Sequence, residues 1–250
     1  PLRGPQGLIM PLYRDEGVVL RTYKLGEADR IIVLYTRGRG KVRAVAKGVR
    51  RTRSKFGSRL EPGSMVSLQL YEGRNLDIVT QAERTEPLAG LRADLDRYGR
   101  ATIMLEAVDH VSTEGESNPA LYKLLTGALR ELDGSGNALV VPAFVTRLLA
   151  LEGVQPQVDE CVGCGATEGL VVLAVHEGGM LCRSCRRGGQ AITEEARQAL
   201  SALVAGRVRQ VLETTSVLAG QELELVAARM IEQHIERRLQ SSSVIYEQLG

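Results

Sequence analysis

The residues in this chain best spaced to do chemistry are its four cysteines. They stand as Cys161-Val-Gly-Cys164 and Cys182-Arg-Ser-Cys185, with seventeen residues between the pairs. C-x2-C-x17-C-x2-C lies within the spacing of a four-thiolate zinc site. Each pair makes a tight knuckle, with Gly163 and Gly165 allowing the turn. Two knuckles together supply the tetrahedral shell that zinc favours. Residues 169–176 (GLVVLAVH) and Glu177-Gly178-Gly179 between them read as a strand and a turn, the hairpin of a zinc ribbon. Two disulfides would need an oxidising compartment, and a redox C-x-x-C would leave the second pair unexplained. Four thiolates leave no coordination position for an activated water, so the single expected zinc ion is structural. His176-Glu177 matches neither the order nor the spacing of the zinc deaminase signature.

The second chemistry is electrostatic. Residues 1–60 hold 15 Lys or Arg against 4 Asp or Glu, whereas residues 61–250 hold 17 against 26. The net charge of +2 therefore hides +11 followed by −9. A charge split of this kind predicts a polyanionic partner for the basic part, nucleic acid above all. In the run 40–47, Val42, Ala44 and Ala46 fall on one face of a strand, and Lys41, Arg43 and Lys47 on the other with Val45. The basic stretch Gly48–Gly63 follows, carrying Arg50, Arg51, Arg53, Lys55 and Arg59 around Phe56. These cations form a candidate groove for a sugar–phosphate backbone. Tyr23, Tyr35, Tyr71 and Phe56 are candidate rings for base stacking, each with core packing as its competing role. Arg183, Arg186 and Arg187 beside the second knuckle are either solvated or a further phosphate contact.

The elements that must position these groups change along the chain. Five runs, 16–25, 30–36, 41–47, 64–71 and 76–81, read as strands, with Gly-bearing turns at 37–40 and 72–75. Five short strands in a basic segment predict an OB-fold barrel over residues 12–86, the loop between its third and fourth strands being the basic stretch. Helical spacing takes over beyond Pro87. One helix is expected over 88–111, and one from Asn118 as N-cap and Pro119 to about Leu132. Others are expected over about 137–151, after Thr193, and over about 216–239. The fold class is thus α+β and multidomain: a barrel, a helical domain over 87–250, and a four-cysteine insert at 158–188. With only two Phe and no Trp, the core must be built from Leu, Val, Ile and Ala. Residues 1–11 are expected to be a leader or disordered N-terminus, since they have neither an apolar core nor a cleavage site for secretion.

Enzyme signatures are missing. Gly38-Arg39-Gly40-Lys41 is followed by Val42, so it is not a phosphate-binding loop of the Walker type. Neither H-E-x-x-H nor G-x-S-x-G occurs, and His110, His176 and His234 are scattered. No apolar run is long enough to span a membrane, and no nucleotide cofactor is expected. Residues alone thus lead to a zinc-stapled, basic, non-enzymatic nucleic-acid binder. An RNA-binding OB-fold with a zinc ribbon stays open as an alternative, as does a zinc hydrolase.

Three runs carry a resemblance: 12–22 (LYRDEGVVLRT), 25–32 (LGEADRII) and 40–51 (GKVRAVAKGVRR), joined by 76–81 (LDIVTQ) and the four-cysteine insert. With these the chain resembles the RecO family of DNA repair proteins over nearly its whole length. The resemblance implies an N-terminal OB-fold, a helical domain and, as in many members, a zinc-binding insert. It implies binding of single- and double-stranded DNA, and annealing of complementary strands without ATP. It further implies action with RecR to load RecA onto DNA covered by single-strand-binding protein, in the cytoplasm at the nucleoid. Arg39, Lys41, Arg43, Lys47 and the cations of the 50–59 loop would form the DNA surface. Some members lack the cysteines, so the resemblance does not make zinc the shared functional core.

Overall fold

In a computed structural model, the structure describes residues 11–51, 54 and 56–242. Arg53, Lys55 and residues 1–10 of the expected leader 1–11 lie outside the described residues. Two compact units are present: residues 1–89 with 105–129, and residues 90–104 with 130–250.

The first unit is built on β1 (Leu12–Leu25), β2 (Asp29–Thr36), β3 (Gly40–Ala46), β4 (Met65–Tyr71) and β5 (Asp77–Arg84). They close into a barrel in the order β1-β2-β3-β5-β4. β1 begins four residues earlier than its β-branched run, because it pairs with β4 from Leu12 to Val18 and with β2 from Gly17 to Leu25. The pairing with β2 shifts between Val19 and Arg21, which lets one strand serve two partners in a closed barrel. The ring is completed by a short parallel contact, Ala44 with Asp77 and Val45 with Ile78. This is the five-stranded Greek-key barrel of the OB type.

Alternation decides the core. Val42, Ala44 and Ala46 of β3 point inward against Ile32 and Leu34 of β2 and Leu68 and Leu70 of β4. Each fully buried side chain of the Leu or Ile kind stabilises by about 1.5–3 kcal/mol. Phe56 and Leu60, from the loop after β3, are both 1% exposed and join this core. A 3-10 turn at Gly57–Leu60 carries Leu60 inward.

The outer face of the barrel is half closed. Val18, Val33 and Tyr35 alternate away from the core yet are buried. Segment 105–129 meets this face: Tyr35 Oη accepts from the Asn118 amide at 3.2 Å, and the Lys41 carbonyl accepts from the Gly115 amide. Gly40 makes the close approach possible. Its φ is +66°, and a Cβ there would lie 1.8 Å from the Glu116 carbonyl oxygen.

The second unit holds α1 (Ala89–Ala93) from Gly90 onward, and the first part of α2 (Leu95–Val111). It also holds the end of α3 (Pro119–Ser135), then α4 (Val140–Leu151), α5 (Glu194–Val204), α6 (Val208–Thr214) and α7 (Val217–His234). The helix expected over 88–111 is two helices. Asp94 breaks it because its carboxylate accepts from the amides of Asp96 and Arg97, which caps a new start. Asn118 caps α3 as its sequence predicts, accepting from Ala120 and Leu121. The last helix ends at His234 rather than near Leu239, since Glu236 takes a positive φ of 52°. α5 and α7 cap one another: Glu195 accepts from the Ser216 amide, and Glu222 from the Thr193 amide and hydroxyl. Arg100 of α2 is bidentate to Glu224 of α7, at 2.7 and 3.3 Å, and the carboxylate is buried.

Between α4 and α5 lies a small sheet, β6 (Leu170–Ala174), β7 (Gly179–Cys182) and β8 (Gln190–Ala191), in the order β7-β6-β8. β6 and β7 are the expected hairpin. The two-residue β8 is an addition to it.

Candidate nucleic-acid interface and metal centre

The four cysteine sulfurs lie within 4.8 Å of one another. Cys164 Sγ and Cys182 Sγ are 3.8 Å apart. Four sulfurs at a zinc–sulfur distance of about 2.3 Å would be separated by about 3.8 Å in a tetrahedron, so the residues fit the ion. The backbone builds each knuckle from amides that fold back on the first cysteine. Gly165 N donates to the Cys161 carbonyl and Arg186 N to the Cys182 carbonyl. Gly163 lets the knuckles come close, since a Cβ there would lie 3.2 Å from Cys185 Cβ, a tight contact. The Cys182 amide donates to Cys161 Sγ and holds that thiol down at about 6, ready as a thiolate. Cys185 is pushed up to about 12 by its hydrogen bonds to Cys164 and Cys182. A cation at the centre reverses that crowding.

The expected basic face divides in three. Arg43 on β3 (42% exposed) and Lys47 in the turn just after it are exposed, with Glu114 3.6 Å from the Arg43 guanidinium. Arg50, Arg51 and Arg59 are exposed on the loop. That loop is pinned at its start, where the Gly48 amide donates to Asp29 and the Arg50 amide to the Ala28 carbonyl. Arg39 is committed elsewhere: it stacks 3.8 Å over the Tyr13 ring and pairs with Glu72 at 3.1 Å. Tyr13 in turn donates to Asp77, and burial with that carboxylate raises its pKa.

Lys41 is turned inward. Its Nζ lies 3.0 Å from Asp109 Oδ1 and donates to the carbonyls of Asp109 and Ser112 at the end of α2. Only 14% of its side chain is exposed. Alternation places Lys41 on the outer face correctly but says nothing of the helix that meets it there.

Two residues were not singled out as cations or partners by sequence reasoning. Arg21 of β1 reaches Asp109 Oδ2 at 2.6 Å while 48% exposed. Asp109 itself is 2% exposed, a buried carboxylate held by two cations. The pattern available in the sequence was Asp109 at the apolar end of a helix, which alone does not disclose a partner 68 residues away. Of the four candidate rings, Tyr35 and Phe56 are buried, Tyr71 is half-buried and Tyr23 is 41% exposed.

Among the described residues no helix is long and apolar enough to cross a membrane. The fold and the site together define a class: a barrel of the oligonucleotide-binding type joined to a helical unit that carries a four-cysteine cluster able to hold a metal ion. Residues 10–88 match the family model described as Recombination protein O N terminal. Residues 92–243 match that described as Recombination protein O C terminal. The chain is 45% identical to a DNA repair protein RecO of a Nocardioides species, across 94% of this chain and 99% of that one. It is 45% identical to the protein of that name from Frankia casuarinae, across 93% and 97%. With that from Bifidobacterium longum it shares 50% identity across 70% and 74%. The chain belongs to the RecO family of DNA repair and recombination proteins.

Proposed function

We propose that this protein is a recombination mediator that binds single- and double-stranded DNA along the open rim of its barrel. It anneals complementary strands without ATP. With RecR it helps load RecA onto DNA covered by single-strand-binding protein. No step in this reading breaks or makes a covalent bond, so the protein acts as a binder and not as an enzyme. The observation that carries it is the exposed run Arg43, Lys47, Arg50 and Arg51 beside a loop anchored in the core by Phe56 and Leu60. Cations on a rigid rim next to a basic loop neutralise phosphates of two strands, lowering their repulsion, and base pairing then supplies the free energy of annealing. Arg59, Arg53 and Lys55 belong to the same DNA surface. Lys41 and Arg39 act behind it, holding the rim in place. Cys161, Cys164, Cys182 and Cys185 hold one zinc ion, which supplies a cross-link for a segment too short to have a core of its own.

Annealing of two complementary oligonucleotides coated with single-strand-binding protein, without nucleotide, tests this reading. Salt-sensitive annealing is expected, and Arg43→Glu with Lys47→Glu should abolish it. Tight binding without annealing, or a preference for RNA through its 2′-hydroxyls, would overturn it.

A further inference from the structure

The open half of the barrel's outer face has an order that its charges alone do not reveal. The pairing places Tyr23 opposite Ile31, and Ile31 opposite Val45. One step along, at the border with the covered half, it places Arg21 opposite the buried Val33, and Val33 opposite Arg43. Directly opposed residues share a face. So an apolar row led by an exposed ring runs beside a row with an arginine at each end. Strands lie about 4.8 Å apart, so each row is about 10 Å wide, the scale of a nucleobase and its sugar. The Arg21 guanidinium lies 4.9 Å over the Tyr23 ring. Its Nε is fixed by Asp109, which leaves the rest of the fork at the surface.

We propose that Tyr23, flanked by Ile31 and Val45, is a stacking platform for one unpaired base of a single-stranded nucleic acid, with Arg21 beside it as the phosphate contact. Asp109 is its positioning residue. The inference rests on the reading under Proposed function and deepens it. The rim cations are indifferent to whether a strand is paired, whereas a ring can stack only on a base that is free. Tyr23 therefore adds a preference for single strands to a rim that has none of its own. An aromatic ring accepts any base, and a guanidinium on one of its faces strengthens the stack, so the platform is tolerant of sequence.

The test uses the full chain and an oligonucleotide carrying one 2-aminopurine, alone and as a duplex. With the unaltered protein, the emission of the single strand should change on binding and that of the duplex should not. Tyr23→Ala should weaken single-strand binding about tenfold, the loss of one stack, and abolish the emission change, while duplex affinity stays within twofold. Tyr23→Phe should restore both. Arg21→Ala should lower the slope of log affinity against log salt by about 0.7, one phosphate of a single strand. Equal single-strand binding by Tyr23→Ala, with its emission change intact, would overturn the platform and leave the rim reading standing. Failure of the unaltered protein to bind either strand would overturn both.

Discussion

Lys41 shows that a residue's type and strand face do not disclose its partners. It sits in a basic row, on the outer face, next to a basic loop. Yet its ammonium closes a buried site with Asp109 and two helix-end carbonyls. Removing Lys41 leaves the buried Asp109 to Arg21 alone and takes the donor from those two carbonyls, which costs about 1–3 kcal/mol. Lys41→Ala should therefore lower unfolding free energy by about that amount in a denaturant titration. The DNA affinity of the folded fraction should change less than for Arg43→Ala. Lys41→Glu would set two carboxylates against each other and unfold the face. Any loss of binding by that variant would report on folding, not on DNA contact.

At the scale of the element, the five strands, the Asn118 cap and the two cysteine knuckles were legible because each rests on local chemistry: alternation, an Asx cap, a fixed spacing. What was not legible depends on distant partners. The 88–111 periodicity runs straight through Asp94, and only the cap geometry shows that the helix restarts there. α6 is seven residues long, too short for its period to be read. The mutual capping of α5 and α7 was equally hidden, since Glu195 looks like an ordinary first-turn acid. The Ser216 amide holds the Glu195 carboxyl below its usual 4.5. A carboxyl depressed by folding contributes stability above its unfolded value and loses it as pH falls through the folded one. Glu195→Gln should thus flatten the acid limb of stability against pH below about 4.5. Glu222→Ala should cost about 1 kcal/mol through the loss of the Thr193 contacts. Gly40→Ala, at a positive φ and against the Glu116 carbonyl, should be far more damaging than any exposed substitution on β3.

For the whole molecule, the two charge halves and the two units do not coincide, because the acidic segment 105–129 belongs with the basic barrel. Asp109 and Glu114 in that segment temper the cations they meet, so the proposed DNA surface offers phosphate less positive charge than the sequence count. Six contacts to a single strand predict a salt slope of about −4, and a slope of about −6 would mean that Lys41 and Arg39 also bind. Stripping the metal with a chelator should lower the melting temperature and expose residues 157–192 to protease first, while the barrel keeps its strand signature. Loss of the entire fold at once would show that the cysteine centre supports more than its own sheet.

The closing of the outer barrel face by residues 105–129 also bears on how the protein is made. A nascent chain that has cleared the ribosome as far as Arg84 has all five strands, and the ladder can form. It does not yet have Asp109 or Asn118. Until they emerge, Arg21 and Lys41 lack the Asp109 carboxylate, Tyr35 lacks the Asn118 amide, and the strip from Val18 to Val33 faces water. Synthesis therefore includes an interval when a finished sheet shows an unfinished surface, both apolar and basic. In a cell full of nucleic acid and of other growing chains, that interval is when the molecule is most open to wrong partners.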